Sequence, residues 1–104
     1  MKLITEEFIA TMKPYPLGSQ EHEKDPFVPA KFFNPVGGET WFITEYDPET
    51  KIAFCYVEGM AEDELGSVSL EEMESIKLPL GLTIERDLHF KPRRLSECSN
   101  FSPE

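Results

Sequence analysis

The densest polar constellation in this chain is Glu85-Arg86-Asp87, followed by Lys91, Arg93 and Arg94. Arg86 falls in phase with Leu82, Ile84, Leu88 and Phe90 in an alternating stretch. A guanidinium on an otherwise apolar face needs a carboxylate partner or an anionic ligand, because a desolvated charge is costly to leave alone. Glu45 is the candidate partner, since alternation puts it on one strand face with Trp41 and Ile43. A structural Glu45–Arg86 bridge at the end of a sheet is the first expectation. An anion-binding arginine on an aromatic floor is the second. Lys91, Arg93 and Arg94 form a small basic patch. Such a patch can dock an acidic peptide or another copy's acidic half, or simply neutralise nearby acids.

Other chemistry finds little footing. The chain has no nucleophile elbow, phosphate-binding loop, dinucleotide fingerprint or zinc spacing. Gly37-Gly38 is turn chemistry, with no Lys-Ser/Thr behind it. Glu62-Asp63-Glu64 lacks the alternation of a calcium loop and reads as a solvated loop. His22 and His89 have no nucleophile or orienting carboxylate placed beside them by the sequence. Cys55 sits in an apolar run and reads as a buried small hydrophobe, and Cys98 as a spare thiol. No catalytic residue, metal site or cofactor is expected, and an enzyme is the less favoured class.

Charge narrows the partners. The net charge is −10, and it is polarised. Residues 1–75 hold five Lys and sixteen Asp or Glu, giving −11; residues 76–104 hold five Lys or Arg and four acids, giving +1. This sign repels phosphate backbones, so direct nucleic-acid or membrane-surface binding is not expected. Met1-Lys2-Leu3-Ile4 runs into Glu6 and Glu7 without forming a signal-peptide core, and no apolar run has the length of a membrane span. A reducing, cytoplasmic setting follows as the expectation.

The elements that would position these groups are those of an α+β fold. Thr5 caps a first helix with its apolar stripe on Ile4, Phe8 and Met12, ended by Pro14 and Pro16. Residues 17–26 read as a surface loop. Strands are expected at 27–34, 40–46 and 51–58, with Pro29 marking an edge position or a late start. Asp47-Pro48-Glu49-Thr50 joins the second and third as a hairpin. A fourth strand is expected at 65–69. Ser69-Leu70-Glu71-Glu72 opens a second helix as a capping box, with Leu70, Met73 and Ile76 on its apolar face. Pro79 and Gly81 stop it, and 82–90 alternates as a last strand. The picture is a mainly antiparallel, four- to five-stranded meander with two short helices, one domain over 1–95, and a frayed tail at 96–104. Phe32-Phe33 and Trp41-Phe42 put aromatics on both sheet faces. Two short helices cover one face, so a homodimer or a protein partner is expected on the other.

Several stretches resemble a bacterial family known as domain of unknown function 2958. They are Asp25-Pro26-x-Val28-x-Ala30-Lys31-Phe32-Phe33, Trp41 with Thr44-Glu45, and Phe54-x-Tyr56-Val57-x-Gly59. The longest are Glu64-Leu65-Gly66-x-x-Ser69-Leu70-x-Glu72-x-Glu74 and the run Pro79–Pro92. The resemblance implies a small protein carried by bacteria, plasmids and phages, in the company of conjugation, DNA-modification and anti-restriction functions. It implies no activity. The candidate binding residues are therefore Lys31, Trp41, Glu45, Arg86, Asp87 and Lys91. Three functions compete: a non-enzymatic interaction or accessory protein of a mobile element, an acidic DNA mimic or anti-defence protein, and a small enzyme or anion-binding domain built on Glu45, Arg86 and Asp87.

Overall fold

Alternating side chains at 40–47 and 51–58 flank an Asp-Pro turn, and a hairpin follows from that pattern. In a computed structural model, which describes residues 2–103, β3 (Thr40–Asp47) and β4 (Ile52–Glu58) pair antiparallel around it. Asp47 closes the turn by accepting the Glu49 N–H at 3.1 Å, and the Thr50 hydroxyl donates to it at 2.7 Å. β5 (Glu64–Ser69) adds beyond β4, and β2 (Ala30–Phe33) pairs with β3 on the other side. These four strands are the expected meander. β6 (Glu85–Arg86) then crosses to the far edge and pairs antiparallel with β2, giving the order β5-β4-β3-β2-β6.

The expected strand at 27–34 is divided at Pro29. β1 (Phe27–Val28) leaves the main sheet and pairs with β7 (Arg93–Arg94), while β2 stays in it. Proline has no N–H to give a ladder, so the chain changes partner there. At 82–90 only Glu85–Arg86 is strand. Asp87 ends the alternation by accepting the His89 N–H at 2.9 Å and turning the chain.

Helix α1 (Glu6–Met12) is capped by the Thr5 hydroxyl, which accepts the Phe8 N–H at 3.0 Å. Helix α2 (Leu70–Ser75) is capped by Ser69, which accepts the Glu72 N–H at 3.2 Å. Neither is long enough to stand alone, so both depend on packing. Phe8, Met12, Leu70 and Met73 are buried on one sheet face against Phe32, Trp41, Ile43, Tyr46 and Cys55. Glu74 ties the helices together by accepting the N–H groups of Leu3 and Ile4 at 2.8 and 2.7 Å. Ile76 does not complete the apolar face; it ends the helix, 40 % exposed.

The second face carries Val28, Phe42 and Tyr56, as alternation requires, but no partner is needed to cover it. The chain's own C-terminal segment does so. Residues 96–103, expected as a frayed tail, are held in place; Glu104 lies outside the described residues. A third helix, α3 (Leu95–Cys98), buries Leu95 completely, and Phe101 packs edge-on against Tyr56 at 5.3 Å. Asp25 accepts the Ser96 N–H at 2.9 Å, and Tyr56 donates to Asn100 at 2.6 Å. Leu95, Cys98 and Phe101, with Phe90 before them, pack on the cluster from within a polar stretch.

Cys55 lies in the main core with no exposure, and burial pushes its thiol up to about 12. Burial also raises Cys98, less completely enclosed. Only the thiolate reacts with a disulfide reagent. At pH 8 the folded protein is expected to titrate slowly at Cys98 and not at Cys55, with both reacting once it is denatured. Equal native rates would contradict the packing of β4.

Candidate functional site

Arg86 is where alternation puts it, in register with Phe32 and on the face of Ile84, but its partner is not Glu45. Its guanidinium lies 5.5 Å from the centre of the Phe8 ring and is clasped by Glu7 of α1 through both carboxylate oxygens, one of them at 3.4 Å. The Arg86 side chain is only 12 % exposed, against 66 % for Glu7. The Thr11 hydroxyl, donating at 2.6 Å, and then Arg86 hold the Glu7 carboxyl below its usual 4.5. Sequence reading missed Glu7 because an acid in a first helical turn is already explained by the helix dipole.

Glu45 goes elsewhere because β3 carries a bulge between Ile43 and Glu45. One extra residue reverses the inward and outward sets beyond it. Trp41 and Ile43 point into the main core, and after the bulge Tyr46 takes that face. Glu45 turns to the opposite side, 5 % exposed, and accepts the N–H groups of Gly18 and Gln20, both at 2.8 Å. Gln20 in turn clamps the loop: its amide donates to Phe27 O at 2.8 Å and Thr44 O at 2.9 Å, and accepts the Phe27 N–H at 2.7 Å. Glu45 is a fold-holding carboxylate, and Trp41, 8 % exposed, is core.

Of the remaining candidates, Lys31 and Asp87 lie beside Arg86 at the β6 edge. Asp87 donates its N–H to Lys31 O at 2.9 Å, and its carboxylate lies 3.6 Å from the Lys31 ammonium. The Lys31 ammonium also sits 5.8 Å from the Phe42 ring centre. Asp87 lies between two open recesses. One, of about 310 Å³, includes Glu7, Thr11, Arg86, Leu88 and Phe90. The other, of about 360 Å³, includes Lys31, Asn34, Gly38 and Glu39. Glu45 lines neither; it borders a third recess with Phe54 and Leu65. Lys91 is exposed beyond the Asp87 turn. The groups named for catalysis thus do not converge. Arg86 and Lys31 each face a carboxylate, and among the described residues no group of His, Cys, Asp and Glu comes together as a metal site.

Two residues that pattern reading treated as ordinary hydrophobes stand out in the same segment. Leu80 is 93 % exposed at the tip of a tight loop, between Pro79 and Gly81, which the Leu78 N–H closes by donating to Leu82 O at 2.8 Å. Its φ is 64°, the left-handed region that glycine favours. Leu88 is 70 % exposed on the Asp87–Phe90 turn. No periodicity argument could single out either one, because alternation assigns Leu88 to a strand face.

No helix among the described residues is long and apolar enough to cross a membrane. No curated protein and no solved structure matches the chain. One family model does, described as a protein of unknown function, DUF2958, and it matches residues 3–102. The match takes in both sheets, all three helices and the Pro79–Pro92 segment, and on that coverage the chain belongs to the DUF2958 family.

Proposed function

We propose that this chain is a small non-enzymatic interaction protein that grips a protein partner with Leu80 and Leu88. The carrying observation is Leu80: a large apolar side chain, 93 % exposed, on a backbone with φ 64°. A non-glycine residue in that region costs on the order of 1 kcal/mol or more, and here no burial offsets it. Strain kept without a folding benefit points to a use outside the fold. Leu88 shares the exposure, though not the strained backbone, on a second turn pinned by Asp87. In the same proposal the protein works in the cytoplasm, as its cysteine usage suggests, and serves as an accessory of a mobile genetic element, as the family resemblance implies.

The acidity is better explained by folding than by mimicry of DNA. Glu45 and Glu74 each accept two backbone N–H groups, and Asp25, Asp47, Asp63 and Asp87 also accept backbone N–H groups. A mimic would need such carboxylates arrayed for a partner.

Leu80→Gly separates the two demands. It is expected to raise stability by roughly 1 kcal/mol by relieving the left-handed strain, while Leu88→Ser stays within about 0.5 kcal/mol of the parent. Tagged parent and L80G/L88S protein are compared by crosslinking and mass spectrometry in the source cells. A protein captured by the parent and lost by the folded double variant is the expected result. Identical capture by both would overturn the reading.

A further inference from the structure

The two edges of the main sheet are unlike. β6 is two residues long and is flanked by the Lys31–Asp87 and Glu7–Arg86 pairs. β5, at the opposite edge, runs six residues with no strand beyond it among the described residues. Natural edges are blunted by proline, lysine, a bulge or a cover. β5 reads Glu-Leu-Gly-Ser-Val-Ser, pairs with β4 without a register shift, and has nothing within 4 Å of where a Cβ on Gly66 would sit. The Leu70 N–H donates to Lys51 O at 2.9 Å, so the even-numbered residues of β5 bond inward to β4. Leu65, Ser67 and Ser69 therefore turn their N–H groups away from the sheet.

The flanks of this edge say what it takes. On one face a recess of about 220 Å³ combines Phe54 and Leu65 with Glu21 and Glu23. On the other, about 340 Å³, Val57 and Met60 sit with Glu62 and Glu64. Lys24 is the one cation in either lining. Alternate side chains of an added strand would fall toward these two recesses in turn. Apolar surface beside carboxylates suits lysine and arginine, which lay a hydrocarbon stem on one and present charge to the other. A second copy suits it less, since two-fold antiparallel pairing centred on Ser67 would bring Glu62, Asp63 and Glu64 of each copy toward Glu71 and Glu72 of the other.

We propose that β5 receives an extended, basic segment of a partner protein as a sixth strand, bonded to the outward groups of Leu65, Ser67 and Ser69. The probes are short synthetic peptides alternating lysine with valine, glutamate with valine, and an N-methylated lysine–valine version whose backbone cannot pair. The readout is amide shift and hydrogen exchange in the intact protein. At about ten times its Kd, the lysine–valine peptide is expected to slow exchange at Leu65, Ser67 and Ser69 about tenfold, and the other two to leave them unchanged. Ser67→Pro removes one outward N–H and is expected to abolish the effect without moving the melting temperature. If that variant unfolds, the N-methylated peptide supplies the same comparison. Equal protection by the glutamate or N-methylated peptide, or no protection by any, overturns the proposal. So does a concentration-dependent dimer of the protein alone that protects the same amides, which would give the edge to a second copy.

Discussion

Phe8→Ala is expected to cost about 3–5 kcal/mol of stability, the usual price of emptying a fully buried aromatic site. Phe8 has no exposed surface, and its ring meets Phe32 at 5.4 Å and Tyr46 at 5.1 Å. It is also the floor under the Arg86 guanidinium, 5.5 Å from the ring centre. α1 has seven residues and cannot hold itself in water, so its attachment to the sheet rests largely on Phe8 and Met12. A domain of this size has roughly 5–15 kcal/mol in total, and the loss would take a large part of it. Urea unfolding with an unchanged slope is the measurement. Phe8→Leu, which leaves a smaller void, is expected to cost about 1–2 kcal/mol. A loss under about 1 kcal/mol for Phe8→Ala would mean that α1 is not seated on the sheet as described.

Phe8 was legible in the sequence, and so was most of what surrounds it. The stripe Ile4, Phe8, Met12 and the alternation in β3 and β4 are periodic signals, and they survive into the structure because one face of each element is buried. What was illegible has a common cause. A bulge carries no residue signature, so nothing in Ile43-Thr44-Glu45 announces that the faces exchange there. Pairing Arg86 with Glu45 was sound in its chemistry and failed on that one residue of register. The same holds for the polar tail. Leu95, Cys98 and Phe101 pack on the second face, but composition averages them away among serines and glutamates. An exposed face seemed to call for another protein, when it called for residues already in the chain.

Glu45→Ala is the second large effect expected, about 3–5 kcal/mol, and it follows from that same register. The carboxylate is 5 % exposed and takes two backbone N–H groups, Gly18 and Gln20, each at 2.8 Å. Removing it breaks two hydrogen bonds to a charged group, at roughly 1.5–3 kcal/mol each, and leaves the buried Gln20 N–H without an acceptor, while the Gly18 N–H is open enough to turn to water. Gln20 then loses its anchor, and with it the clamp on Phe27 and Thr44 that closes the loop onto β3. Glu45→Gln keeps the volume but turns one acceptor into a donor facing a backbone N–H, so it is expected to recover only part of the loss. A ligand-binding glutamate would behave otherwise: its removal would weaken binding and leave folding untouched, or improve it. Amide exchange separates the two cases. At Gly18 and Gln20, exchange in Glu45→Ala is expected to accelerate about a hundredfold, as an opening some 3 kcal/mol easier requires. Peptide protection at the β5 edge, whose recess Glu45 also borders, would be weakened only as far as the loop at Glu21 and Glu23 loosens. If exchange at Gly18 and Gln20 were unchanged and stability stayed within about 0.5 kcal/mol, Glu45 would return to the list of residues held ready for something outside the fold.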